Sequence, residues 1–69
     1  METLEIFANN LKALRKEKGL SQKTLSTQAD VPLYMISRCE KGKGYHGLEN
    51  FIKLANFFGV TADRLFGRE

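Results

Sequence analysis

The stretch LSQKTLSTQADVPLYMISRCEKG, residues 20–42, carries two short helical patterns separated by a break that leaves room only for a tight turn. Ser21 is a good N-cap, with Gln22 at the first helical position and Leu25 and Ala29 forming a short inward face. Asp30-Val31-Pro32 then interrupts the pattern. Proline has no N–H and its ring strikes the preceding turn, so Pro32 cannot continue a helix from upstream, yet it suits the start of the next one. The second pattern spans about 33–41, turns Ile36 and Cys39 inward and closes at Gly42. Its first turn, Leu33-Tyr34-Met35, is too apolar for an ordinary exposed surface and too short for a core helix. Met35 is expected to lean towards the body of the domain, leaving Leu33 and Tyr34 outside.

Working outward, TLEIFANNLKALRKEKG (3–19) places Leu4, Phe7, Leu11 and Leu14 at spacings of three and four, with Ile6 and Ala13 beside that stripe. This predicts an amphipathic helix over about 4–18. Its basic last turn (Arg15, Lys16, Lys18) suits the helix dipole, and Gly19 ends it as a left-handed cap. Downstream, KGKGYHG (41–47) is a glycine-rich loop. LENFIKLANFF (48–58) follows as a helix with Leu48, Phe51, Ile52, Ala55 and Phe58 on a broad apolar face, stopping at Gly59. Thr61 caps a last short helix, 62–66, ending at Gly67. No stretch alternates with the period of two that marks a strand. The expectation is one all-α domain over 1–69, five short helices at about 4–18, 22–29, 33–41, 48–58 and 62–66.

Bulk properties narrow the function. A chain of 69 residues folds as one small domain, burying about 60% of its unfolded surface. One cysteine, Cys39, and one histidine, His46, allow no intramolecular disulfide and no zinc-site spacing. Packing alone must hold the fold, and a reducing, cytoplasmic setting fits. No apolar run approaches the ~20 residues of a membrane span, and METLEIFANN lacks the basic-then-apolar order of a signal peptide. Met1 and the charged end lead to the expectation of a complete chain. With 11 Lys+Arg against 8 Asp+Glu, the net charge is +3 and the pI about 9.3, a balance compatible with nucleic acid. An enzyme is not expected: the sequence offers no carboxylate pair, Ser/His/Asp set, metal cluster or phosphate-gripping glycine loop, and no cofactor or small-molecule ligand is called for.

Two short helices joined by a tight turn match the helix-turn-helix unit, which presents its second helix to a DNA groove. The chain resembles the Cro/C1-type (XRE) helix-turn-helix regulators. The residues that carry the resemblance are Leu20-Ser21-Gln22, Leu25, Ala29, Val31, Ile36-Ser37, Glu40, Gly42, Leu48, Phe51, Lys53-Leu54-Ala55, Phe58-Gly59-Val60 and Leu65-Phe66-Gly67, in register without a gap. The resemblance implies a compact lambda-repressor-like domain with its helix-turn-helix at helices 2 and 3. It further implies a transcription regulator, a repressor or controller binding double-stranded DNA as a homodimer on a two-fold symmetric operator.

Carried onto this sequence, the resemblance implies base reading by Leu33, Tyr34, Ser37 and Arg38, with Arg38 suited to guanine O6/N7. It implies phosphate contacts from Gln22, Lys23, Lys41, Lys43 and Tyr45, and an ion pair between Arg15 and Glu40 that fixes the third helix against the first. The surplus apolar residues Phe57, Val60, Leu65 and Phe66 are candidates for a dimer interface, although core filling accounts for most of them. His46 is expected to be an exposed loop residue and Cys39 a small core hydrophobe. The chain departs from the family pattern at Asp30, where glycine is usual, at the caps Pro32 and Gly47, and at Leu33-Tyr34-Met35, where polar residues are usual. Aspartate tolerates the left-handed backbone the turn needs. Two uses of Leu33 and Tyr34 compete: thymine methyls in a half-site, or an antirepressor- or antitoxin-like protein partner. The methyls are preferred.

Overall fold

The structure, a computed structural model, describes residues 2–43 and 47–67. Among them are five helices: α1 (Glu2–Glu17), α2 (Gln22–Ala29), α3 (Leu33–Glu40), α4 (Leu48–Phe58) and α5 (Ala62–Leu65). Three helices end one residue earlier than their apolar pattern, at Glu17, Glu40 and Leu65. The last residue of each pattern belongs instead to a tightened closing turn. Tyr45 and His46, expected as a phosphate ligand and a loop residue, lie outside the described residues.

Four of these helices close in the same way. A residue with positive φ follows the helix, and the next N–H reaches back to the carbonyl five residues earlier. The positive-φ residues are Gly19, Asp30, Gly42 and Gly59. The returning bonds are Leu20 N–H to the Arg15 carbonyl, Val31 to Ser26, Lys43 to Arg38 and Val60 to Ala55, at 3.0–3.1 Å. In three of the four, the residue after the reversal is apolar and folds back onto the core: Leu20, Val31 and Val60. The fourth, after α3, is an exposed lysine, Lys43. At Asp30 φ is 59° and ψ 47°, a left-handed conformation that aspartate tolerates better than most residues.

Ser21 caps α2 by accepting the Thr24 N–H, and Thr61 accepts the Arg64 N–H at the start of α5. Pro32 and Gly47 precede α3 and α4 without a side-chain cap. The core joins Phe7, Leu11, Leu25, Val31, Met35, Ile36, Cys39, Phe51, Leu54, Phe58 and Leu65. α1 packs on α3 and α5, α2 on α3 and α4, and α4 on α5. Two residues assigned to apolar faces, Ile6 and Ile52, are exposed. At about 100° per residue each lies past the edge of its buried stripe.

Candidate nucleic-acid interface

The eight residues of α3 divide into two arcs. With about 100° between successive residues, Met35, Ile36, Cys39 and Glu40 share one side, and Leu33, Tyr34, Ser37 and Arg38 share an arc of about 140° opposite. The burial follows this division. The first four are buried; Leu33 is 44% and Tyr34 64% exposed, Arg38 is exposed and Ser37 half-buried. Leu33 precedes Ser37 by one turn, and Tyr34 precedes Arg38 likewise, so the outer arc carries two parallel rows. The first turn contains no acidic residue.

A buried polar clamp sets how this arc is presented. Arg15 of α1 grips Glu40 of α3 with two donors, Nε to Oε2 at 2.6 Å and Nη2 to Oε1 at 3.0 Å. Its Nη1 donates to the Leu20 carbonyl at 2.7 Å, and Gln22 Nε2 of α2 donates to Glu40 Oε1 at 3.0 Å. One carboxylate therefore ties α3 to both α1 and α2. The side chains are only 12% and 2% exposed, so the pair is shielded from solvent screening. The hydrogen bond to Glu40 is the largest cause of the raised Arg15 pKa; burial opposes it and the charge of Glu40 adds to it.

A second polar tie sits at the turn between α2 and α3. Lys53 of α4 donates to the Asp30 carbonyl at 3.2 Å and to its carboxylate at 3.3 Å, with Glu49 one helical turn earlier at 3.5 Å. The bond to Asp30, then the charges of Asp30 and Glu49, raise the Lys53 pKa. Sequence reasoning assigned Lys53 no role, although Glu49 and Lys53 stand at the i,i+4 spacing of a helical ion pair. Asn10 was also missed. Its Nδ2 donates to the Leu65 carbonyl at 2.9 Å and reaches that of Arg64 at 3.3 Å, holding the end of α5 against α1.

The remaining predicted residues are placed unevenly. Lys23, Lys41 and Lys43 are exposed, at the start of α2 and the end of α3. Gln22, expected on phosphate, spends one donor on Glu40. The dimer expectation needs correction at Leu65, which is fully buried and serves the core. Phe66 is half-buried and shares an aromatic cluster with Phe7 and Phe51, at centroid distances of 5.3 and 5.4 Å. Phe57 is half-buried edge-on to Phe58, with Lys18 Nζ 5.9 Å from its ring centre, and Val60 is half-buried. A cleft of about 260 Å³ lies elsewhere, lined by Asn10, Ala13, Leu14, Glu17, Arg64 and Gly67; none of these belongs to the α2–α3 pair. Among the described residues no group of three or more His, Cys, Asp or Glu could hold a metal, and no helix is long and apolar enough to cross a membrane.

Comparison with known proteins agrees with this geometry. The model of the helix-turn-helix domain family matches residues 8–69. The crystal structure of a hypothetical transcription factor, NHTF, from Neisseria is similar to this fold with a TM-score of 0.81 and 30% sequence identity, over 93% of this chain and 74% of that one. No curated protein sequence matches the chain. The family match over most of the chain, the similar solved structure and the α2–α3 pair with its clamped second helix together establish that the chain belongs to the helix-turn-helix domain family, as a Cro/C1-type (XRE) member.

Proposed function

We propose that the chain is a sequence-specific double-stranded DNA-binding transcription regulator, a cytoplasmic repressor or controller acting as a homodimer on a two-fold symmetric operator. The observation that carries this is the outer arc of α3: exposed, free of carboxylates, ending in Arg38, and held rigidly by the Arg15–Glu40–Gln22 clamp. An eight-residue helix can enter a major groove only if its neighbours hold it at a fixed angle, and the clamp supplies that restraint.

In this proposal Arg38 pairs with guanine, and Leu33, Tyr34 and Ser37 meet the adjoining base edges. Lys23, Lys41, Lys43 and Tyr45 hold phosphates. Gln22 joins them through its second amide hydrogen, since a side-chain amide carries two donors and Glu40 takes one. A domain this small makes few contacts, so two copies on successive groove faces give useful affinity. Of the residues expected at a dimer interface, the half-buried Phe57, Val60 and Phe66 remain candidates for pairing. A second reading, a protein-binding module on the same fold, is favoured only by the exposure of Leu33 and Tyr34.

Binding to random-sequence duplex and to the promoter beside the chain's own gene, measured across a salt series, separates the two. Preference for the promoter with a steep salt slope is the expected result. Weak association indifferent to sequence at every salt contradicts the regulator and favours the protein-binding module. Arg38→Ala is expected to remove discrimination, about 1–3 kcal/mol, whereas Lys43→Ala weakens all duplexes alike and lowers the salt slope by about 1. Equal effects of the two contradict these assignments.

A further inference from the structure

We propose that the first turn of α3 reads the 5-methyl group of a pyrimidine in the major groove, next to the base pair met by Arg38, so that affinity depends on that methyl group; this rests on the DNA-binding reading above. Leu33 can neither donate nor accept through its side chain, and Tyr34 offers a single hydroxyl. Together they expose an apolar edge at the leading end of the outer arc. Hydrogen-bond readout is therefore largely closed to this turn. The apolar group that a base pair presents in the major groove is the methyl on pyrimidine C5.

The surroundings point to nucleic acid as the occupant. Arg38 follows Tyr34 by one turn in the same row, and Lys41 and Lys43 continue beyond it. Glu40, the only carboxylate of α3, is turned inward onto Arg15 and Gln22. The nearby carboxylate of Asp30 is engaged by Lys53. An apolar edge backed by cations, with Glu40 turned inward and Asp30 paired with Lys53, complements a methyl-bearing groove between phosphates. Thymine and 5-methylcytosine carry the same methyl at the same place, and both are sources of this chemistry.

The test begins with the duplex that the full chain selects from a randomised pool. Each thymine in turn is replaced by uracil, which removes the methyl and keeps the hydrogen-bonding edge. Affinity is read by fluorescence anisotropy. Uracil at the base facing Leu33 or Tyr34 is expected to weaken binding about fourfold, the worth of one buried methyl. Leu33→Ala with Tyr34→Ala is expected to bind the thymine and uracil duplexes equally; both side chains are exposed, so folding is retained and is checked by circular dichroism. At the sensitive position, cytosine and 5-methylcytosine form a further arm. A gain for 5-methylcytosine over cytosine assigns the methyl itself, and no gain assigns thymine alone; both outcomes support methyl reading. Sequence-specific binding that uracil leaves unchanged at every position overturns the inference while the DNA-binding reading stands. Failure to select any duplex overturns both.

Discussion

The two ends of α1 hold the domain by different physical means. Near its start, Phe7 meets Phe51 of α4 at 5.7 Å and Phe66 at 5.3 Å, an aromatic cluster whose rings lie at moderate mutual tilts. Near its end, Arg15 binds Glu40 and the Leu20 carbonyl through a fixed fork of donors, and Gln22 completes the set. Aromatic burial depends mainly on area and tolerates repacking. A guanidinium fork works only in one geometry. The contrast points to a division of labour: the aromatic end supplies stability, and the ionic end fixes the orientation of α3, the helix proposed above to meet DNA. A buried ion pair is weak evidence for net stability, because desolvation offsets most of its attraction.

Substitutions can break this comparison. Phe7→Ala should have the largest effect, a loss of about 3–5 kcal/mol in denaturant unfolding, whereas Phe7→Leu should cost less than about 1.5 kcal/mol if the aromatic end tolerates repacking. Glu40→Ala comes next at about 3 kcal/mol, because it strands the largely covered Arg15 guanidinium and removes the partner of Gln22. Recovery of most of that loss in Glu40→Gln would show that hydrogen bonds rather than charge hold the clamp. The smallest effect is expected at the turn. Asp30→Gly relieves left-handed strain but gives up an exposed ion pair, so the unfolding midpoint should stay close to that of the parent. A clear loss in denaturant unfolding would mean that the Lys53 tie matters more than its exposure implies.

Much of this arrangement was legible in the residues. Ser21, Pro32 and the glycines at 19, 42 and 59 punctuate the chain with local chemistry, so five helix boundaries could be placed to within a residue or two. The division of α3 followed from the inward positions of Ile36 and Cys39. Side-chain ties between distant segments were less accessible. Asn10 and the Leu65 carbonyl are 55 residues apart, and nothing in the local pattern around Asn10 distinguishes it from its neighbour Asn9. The exposure of Ile6 and Ile52 depends on how wide a stripe the opposing helices cover, which is a tertiary property. Leu65 illustrates the same point: a short amphipathic helix does not reveal by itself how deeply its apolar residue is seated.

The claim that the ionic end governs orientation rather than stability is tested most directly by replacing the pair with apolar residues, Arg15→Met together with Glu40→Leu. Unfolding free energy and the ratio of operator to random-duplex affinity are measured on the same protein. Stability within about 1 kcal/mol of the parent, together with a clear fall in that ratio, is the predicted result. An unchanged ratio in an equally stable protein would contradict it.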